Sequence, residues 1–284
     1  MISGQKRIQW RKRMPDKIEV EERLLNDGFE TEDVRNIPNL LTSSWQVADL
    51  HRFLFCSKLI NSIPKKKVSV LDVGCSSGRL LQVQQKLART QSTKSLKYVG
   101  NDARESCLDK LTEFAKNNMS DSAEVYREQG NIIFKDFCKK LIKTYGKFDV
   151  ISILEVFEHI PIEYNRLVLS NLYHMLDDDG VIVLSTPVHF KDEEMYWPED
   201  HFYEYKFDEL KDLLSERFDI IHDCGNHVKS NELKQKLKGN EIENSLYKKV
   251  LKYSKNGAWL NELFGCYFYE CCKGHIFVLK KKRS

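Results

Sequence analysis

A short apolar segment that runs directly into a glycine-containing turn is the feature that most constrains the fold of this chain. Residues 68–73 predict a buried strand, residues 74–78 a tight turn, and residues 79–88 a helix with amphipathic spacing. The first turn of a helix offers free backbone N–H groups and a partial positive charge, and glycine lets a ligand approach the backbone. The segment therefore predicts a strand–turn–helix unit that binds a ligand.

The alternation of strands and helices continues along the chain. Further strands are predicted at residues 96–100, 124–128, 148–154, 181–185, 218–222 and 275–280, and helices at residues 104–117, 133–144, 163–175 and 207–215. Such alternation indicates βαβ units. We therefore expect an α/β, Rossmann-like fold with a seven-stranded, mostly parallel sheet and helices on both faces.

Two segments fall outside this alternation. Residues 1–66 predict an N-terminal helical extension, so the main domain is expected to occupy residues 67–284. Within it, residues 229–265 predict a helical insert before the last strand, which could cover a substrate site. Residues 177–180, three aspartates and a glycine, are expected to end a helix before the fifth strand begins.

The composition excludes several classes of protein. Lys and Arg total 45 against 42 for Asp and Glu, and the net charge of +3 gives no general attraction to nucleic acid or anionic membranes. A basic N-terminal arm (Lys6, Arg7, Arg11, Lys12 and Arg13, around Trp10) reads as a solvated terminus or, alternatively, as a phosphate-contacting arm.

The eight cysteines show no C-x-x-C spacing, which argues against a zinc ribbon. Several of them lie in apolar runs, as expected for buried thiols in a reducing compartment. No stretch is long and apolar enough to span a membrane, so we expect a cytoplasmic protein.

Three interpretations of the turn at residues 74–78 compete. A dinucleotide fingerprint requires a second glycine where this chain has Ser76. The turn also matches the G-x-S-x-G elbow of α/β-hydrolases, with Ser76 as nucleophile, but that fold places several strands before the elbow. The third interpretation comes from a family resemblance. Residues 70–78 resemble motif I of class I S-adenosylmethionine (SAM)-dependent methyltransferases, with Ser76 replacing the middle glycine.

That resemblance implies a set of cofactor-binding residues. In the turn and the strand before it, they are Asp72, Gly74, Cys75, Ser76 and Gly78. Asp102, at the end of the second strand, matches the acid that accepts the ribose hydroxyls of the cofactor. Asn131 stands where relatives carry an acid that meets the adenine amino group, and an amide oxygen can accept the same hydrogen bond.

Two further segments resemble the family downstream. Residues 148–160 resemble its motif IV and place Glu155, Glu158 and His159 after the fourth strand, with Glu155 assigned to the cofactor. Residues 200–210 resemble a D-H-x-R-E-F segment of methyltransferases that act on small molecules, which brings in His201. An imidazole titrates near neutral pH, so His159 and His201 are the candidate bases, oriented by Glu158.

The resemblance implies methyl transfer from SAM, with S-adenosylhomocysteine (SAH) as product, to an oxygen or nitrogen of a small-molecule acceptor. One alternative is a metal-dependent RNA 3′-terminal 2′-O-methyltransferase, which two glutamates and two histidines also resemble (Glu155, Glu158, His159 and His201). There a divalent ion would hold the terminal hydroxyls. A second alternative is a non-catalytic subunit with this fold.

Overall fold

The computed structural model describes residues 44–91, 95–119, 123–190, 198, 200–239, 241–253, 262–265 and 267–282. The basic N-terminal arm lies outside the described residues. The strands are β1 (Lys67–Val73), β2 (Ser95–Asp102), β3 (Ala123–Gln129), β4 (Phe148–Leu154), β5 (Leu176–His189), β6 (Tyr205–Lys206), β7 (Phe218–Val228) and β8 (Cys272–Lys281).

The helices are α1 (Ser44–Ser62), α2 (Arg79–Gln91), α3 (Glu105–Asn118), α4 (Lys135–Tyr145), α5 (Asn165–Met175), α6 (Phe207–Ser215), α7 (Ser230–Lys238) and α8 (Glu241–Tyr253). Short 3-10 turns occupy Phe157–His159, Ile162–Tyr164 and Tyr269–Cys271. In the part of the chain that the structure describes, no helix is long and apolar enough to cross a membrane.

The sheet has the strand order β3-β2-β1-β4-β5-β8-β7, and the short β6 pairs with β5 beside this path. Strands β1 to β5 run parallel to one another, whereas β8 runs antiparallel to both β5 and β7. The predicted seven-stranded, mostly parallel sheet is thereby confirmed. The strand order reverses between β1 and β4, and the carboxyl ends of the strands flanking such a reversal form a crevice where ligands bind.

Alternating side chains of the central strands pack on opposite faces of the sheet. Val70 belongs to the core beneath α1, α2 and α3, which contribute Cys56, Leu80 and Leu111. Its neighbour Leu71 belongs to the other core, against α4, α5 and α6. Helices therefore cover both faces, as the α/β pattern predicts.

Strand β5 begins earlier than the sequence predicts. The aspartates and glycine at 177–180 do not separate a helix from a strand, because β5 already starts at Leu176, which pairs with Phe148. The register then shifts, and Val150 pairs with Val181. A Cβ on Gly180 would lie 2.9 Å from the carbonyl oxygen of Phe148, so glycine is needed where the two backbones approach.

Helices α7 and α8, in the segment predicted as a helical insert, share an apolar cluster. Leu233 and Leu237 of α7, Tyr247 of α8, and Cys271 form an apolar cluster that is separate from the two cores of the sheet. Helix α1 instead packs against α2 and β7. The predicted division of the chain at residue 66 stays a prediction.

His275 of β8 is fully buried among aromatic rings: those of Phe190, Phe207, Tyr269 and Phe277. Burial lowers the pKa of His275 to about 4, with Asp223 and Lys211 acting as smaller, opposed influences. His275 therefore binds a proton near pH 6.5 in the unfolded chain, but only near pH 4 in the folded protein.

We expect the His275→Phe variant, whose ring suits the aromatic surroundings, to lose less unfolding free energy at acid pH than the wild type. The wild type should lose up to about 1.4 kcal/mol of unfolding free energy per pH unit from this group as the pH falls through that window. Urea unfolding at a series of pH values measures the difference, with His174→Gln on the exposed side of α5 as control. Equal acid losses in wild type and His275→Phe would contradict this account.

Candidate active site

A cavity of about 570 Å³ opens at the carboxyl ends of β1, β2 and β4, at the reversal of the strand order. It is lined by nearly all the residues that the sequence predicts for the site: Asp72, Gly74, Cys75, Ser76, Asp102, Asn131, Glu155, Glu158, His159 and His201. Gly78 does not line it. That glycine instead closes the turn, since its N–H donates to the carbonyl of Cys75 over 2.9 Å.

The turn after β1 uses left-handed backbone at three alternate positions, with φ of 67° at Gly74, 47° at Ser76 and 81° at Gly78. A side chain in this region costs about 1–2 kcal/mol relative to ordinary backbone, which explains why relatives carry glycine at the middle position. The N–H of Ser76 donates to Oδ2 of Asp102 over 3.0 Å, and this contact supports the strained residue.

Asp102 joins the ends of two strands. While Oδ2 accepts from the β1 turn, Oδ1 accepts the backbone N–H of Arg104 over 2.9 Å. Nε of Arg104 also donates to Oδ1 over 3.3 Å. A carboxylate has about four acceptor positions, so one position remains for a ligand hydroxyl. The preceding residue, Asn101, was not predicted to have a role. Its amide donates to the carbonyls of Glu128 and Gly130 over 2.9 and 2.8 Å and thereby fastens the end of β3.

Asp72 points into the protein's own network. Its carboxylate accepts hydrogen bonds from the hydroxyls of Tyr98 and Ser152, the latter over 2.7 Å. Burial raises the pKa of Asp72 to about 6, although both hydroxyls act to lower it. Asp72 therefore supports the turn from within as well as lining the cavity.

Asn131 begins the segment after β3. Its Oδ1 accepts the N–H of Ile133 over 2.9 Å, which is an Asx turn. A carbonyl oxygen has a second lone pair, so the role predicted for this amide is compatible with the turn.

The two glutamates after β4 occupy different environments. Glu155 has φ of 54°, accepts from Ser185 Oγ over 2.9 Å, and lies 3.2 Å from Nη1 of Arg52. Glu158 is buried and accepts from Thr186 Oγ1 over 2.9 Å. Burial, together with repulsion from Glu155, holds the pKa of Glu158 well above its usual range.

The structure brings together the two predicted histidines, which come from separate motifs. The ring centroids of His159 and His201 are 4.9 Å apart, with the rings nearly perpendicular. Nδ1 of His159 lies 3.0 Å from the carbonyl oxygen of Asp200, and Nδ1 of His201 lies 2.6 Å from Oε1 of Glu204. Donor atoms of Glu158, His159 and His201 all lie within 4.8 Å of one another.

Helix α1 supplies a wall of the cavity that the sequence did not reveal. Arg52, only 5% exposed, pairs with Asp49 and Glu155, and Asp49 also accepts from Nη1 of Arg79 over 3.0 Å. The nearby carboxylates raise the pKa of Arg52 despite burial, which opposes the charge. No local pattern marks Asp49 or Arg52, because only the packing of α1 brings them to the strand ends.

The lining carries more acidic than basic groups. Five carboxyl side chains and three guanidinium groups face the cavity: Asp49, Asp72, Asp102, Glu155 and Glu158, against Arg52, Arg79 and Arg104. Glu158 has a raised pKa and Asp72 is hydrogen-bonded within the protein, so the charged groups left to face a ligand nearly balance.

Comparison with known proteins gives relatives in sequence and in structure. The ubiquinone biosynthesis O-methyltransferase of Saccharomyces cerevisiae mitochondria is 32% identical over 124 residues, which are 43% of this chain and 34% of the yeast enzyme. The magnesium protoporphyrin IX methyltransferase of Synechocystis PCC 6803, solved with bound SAH, has a TM-score of 0.56 at 13% identity and covers 94% of this chain and 100% of that chain.

The 4+2 cyclase SpnF has a TM-score of 0.51 at 12% identity and covers 86% of this chain and 97% of that chain. At such identities the likeness establishes the fold, and one fold can host different reactions.

A family model described as a methyltransferase domain matches residues 48–238. This range contains β1 to β7 and every residue that lines the cavity. The match decides between the three interpretations of the turn after β1: the chain belongs to the methyltransferase-domain family.

Proposed function

We propose that the chain transfers a methyl group from SAM to an oxygen or nitrogen of a small-molecule acceptor. The observation that carries the proposal is one cavity that holds both the glycine turn with Asp102 and the pair His159 and His201. The first group suits a nucleoside cofactor, and the second suits an acceptor that must lose a proton.

The donor set fits SAM. SAM carries both positive and negative groups, and the cavity lining offers carboxylates and guanidinium groups to meet them. We assign a ribose hydroxyl to Asp102, the adenine to Asn131, and the charged amino-acid end to Arg52 and Glu155. When bound, SAM supplies a methyl group that is already activated by the adjacent sulfonium.

The protein's own contribution is then positioning and proton removal. The carbonyl of Asp200 can only accept, so Nδ1 of His159 donates to it and leaves Nε2 of His159 as the basic atom. Glu158, buried beside the histidines with a raised pKa, is suited to holding a proton or a hydroxyl in place. Enclosure of the reacting atoms contributes by orientation and exclusion of water.

The acceptor class is inferred from relatives. The yeast relative is named for ubiquinone biosynthesis and the Synechocystis protein for magnesium protoporphyrin IX, and both names describe small-molecule methylation. The match to the yeast enzyme covers 34% of its length, so its substrate is not transferred to this chain. A cytoplasmic location stays a prediction from sequence alone.

A metal-dependent variant of this function is favoured by one observation. Glu158, His159 and His201 place three donor atoms within 4.8 Å, and imidazole with carboxylate suits manganese or a similar ion. Glu155, the fourth predicted ligand, is already engaged by Arg52 and Ser185. This arrangement would serve the RNA 3′-terminal alternative as well as a small diol. A non-catalytic subunit would bind SAM without turnover.

We expect Asp102→Asn to weaken SAM binding about 10- to 100-fold, since a hydrogen bond to a charged group contributes about 1.5–3 kcal/mol. Isothermal titration with SAM and with SAH measures the change. The matched control is Asp109→Asn, which alters an exposed acid on α3 that pairs with Arg127. Unaltered affinity in Asp102→Asn would refute the assignment of the ribose site, and no binding to the wild type would refute the proposed function.

The metal-dependent variant predicts that Co²⁺ alone, used as a spectroscopic probe, binds the wild type with d–d absorption bands typical of nitrogen and oxygen ligands. His159→Asn and Glu158→Gln should each remove these bands, because each loses one of the three donors. His222→Asn on β7 serves as the histidine control, because His222 is exposed and does not line the cavity. Bands that persist in both variants would exclude this site, and full turnover in chelator would favour the metal-free mechanism.

A further inference from the structure

Glu204 lies directly behind His201, at the glutamate of the D-H-x-R-E-F segment that residues 200–210 resemble. It is fully buried, and it does not line the cavity. One carboxylate oxygen lies 2.6 Å from Nδ1 of His201, and the other lies 2.9 Å from Nε2 of His189. The carboxylate therefore stands between two imidazoles, of which only His201 reaches the cavity.

The segment that carries His201 and Glu204 is fastened at both ends. The N–H of Phe202 donates to the carbonyl of Glu158 over 2.8 Å. Further along, β6 pairs with the end of β5, where Val188 meets Tyr205. Both contacts fix the backbone around Glu204, so its side chain has little freedom to leave His201.

Oε1 of Glu204 is within hydrogen-bond distance of Nδ1 of His201, at 2.6 Å. A carboxylate oxygen accepts hydrogen bonds, so Nδ1 of His201 carries the proton in this contact. Nε2 of His201 then has the free lone pair.

We propose that Glu204 is a positioning residue that holds His201 in the Nδ1–H tautomer and thereby presents the Nε2 lone pair to the cavity. The carbonyl of Asp200 imposes the same tautomer on His159. The two rings lie 4.9 Å apart, with ligand atoms of both within 4.8 Å of Glu158. An Nε2 lone pair can accept a hydroxyl proton or bind a cation, so the assignment holds for both the metal-free and the metal-dependent mechanism.

The tautomer can be measured in the protein alone, by long-range ¹H–¹⁵N correlation spectra of ¹⁵N-histidine-labelled wild type near neutral pH. The chain has eight histidines, few enough for His201→Asn to assign the His201 signals by their disappearance. We expect the Nδ1–H pattern for His201. An Nε2–H pattern in the wild type would overturn the proposal without reference to any variant or activity.

Variants then separate positioning from structure. Glu204→Gln keeps the shape and an acceptor oxygen, so we expect the Nδ1–H tautomer to persist. Glu204→Ala removes the acceptor, and His201 should shift toward the Nε2–H form. Glu209→Gln, which alters an exposed acid of α6 that accepts from the hydroxyl of Tyr203, should leave the His201 tautomer unchanged. An unchanged tautomer in a folded Glu204→Ala would refute the proposal, and if that variant does not fold, the wild-type and Glu204→Gln spectra decide.

The kinetic consequence rests on the proposed methyl transfer. Loss of a residue that orients a functional imidazole typically costs about 10- to 100-fold in activity. We expect Glu204→Ala to lower kcat by that factor while the Kd for SAM stays within about twofold, and Glu204→Gln to restore most of the rate. Absence of turnover with every acceptor would count against the proposed function, whereas the spectra would still test Glu204. Unchanged kcat in Glu204→Ala would count against Glu204 itself.

Discussion

The parallel pairing of β1 with β2 on one side and β4 on the other is the constraint on which the rest of the structure depends. Parallel strands end at the same edge of a sheet, so the loops after β1, β2 and β4 converge there. In the registers observed, Val73 pairs with Asn101 and with Ile153, which brings Ser76, Asp102 and Glu155 to one cavity. A slip of one residue in either pairing would turn these side chains to the wrong faces.

The site combines conformational strain with buried charge. Ser76 and Glu155 both adopt left-handed backbone. The N–H of Ser76 donates to Asp102, and the N–H of Glu155 donates to the carbonyl of Ser185. The arginine of α1 balances acids that would otherwise face one another across the cavity. Such strain and charge are stable only when the surrounding fold fixes them, which is why the supporting residues lie deep in the sheet.

Asp72, Glu158 and His201 are each hydrogen-bonded to side chains that do not line the cavity. Ser152 and Tyr98 hold Asp72, Thr186 holds Glu158, and Glu204 holds His201. Hydrogen bonds of this kind fix rotamers and tautomers before a ligand arrives, so less ordering is required at the moment of binding. In the proposed chemistry the methyl donor is already activated. The protein therefore contributes mainly by positioning the acceptor, which requires preorganised side chains.

The sequence by itself determined the sheet and ten of the residues that line the cavity. Alternating apolar strands and helices fixed the α/β fold, and the family motifs located Asp102, Glu155, Glu158, His159 and His201, because those residues follow strands whose pattern is local. Tertiary structure alone decided the roles of Asp49 and Arg52, and the contact of Glu204 with His189. Their positions depend on how α1 and the segment before β6 pack onto distant strands, and long-range packing leaves no periodic signal in the chain. The extended start of β5 was hidden for the same reason, since only pairing with β4 reveals it.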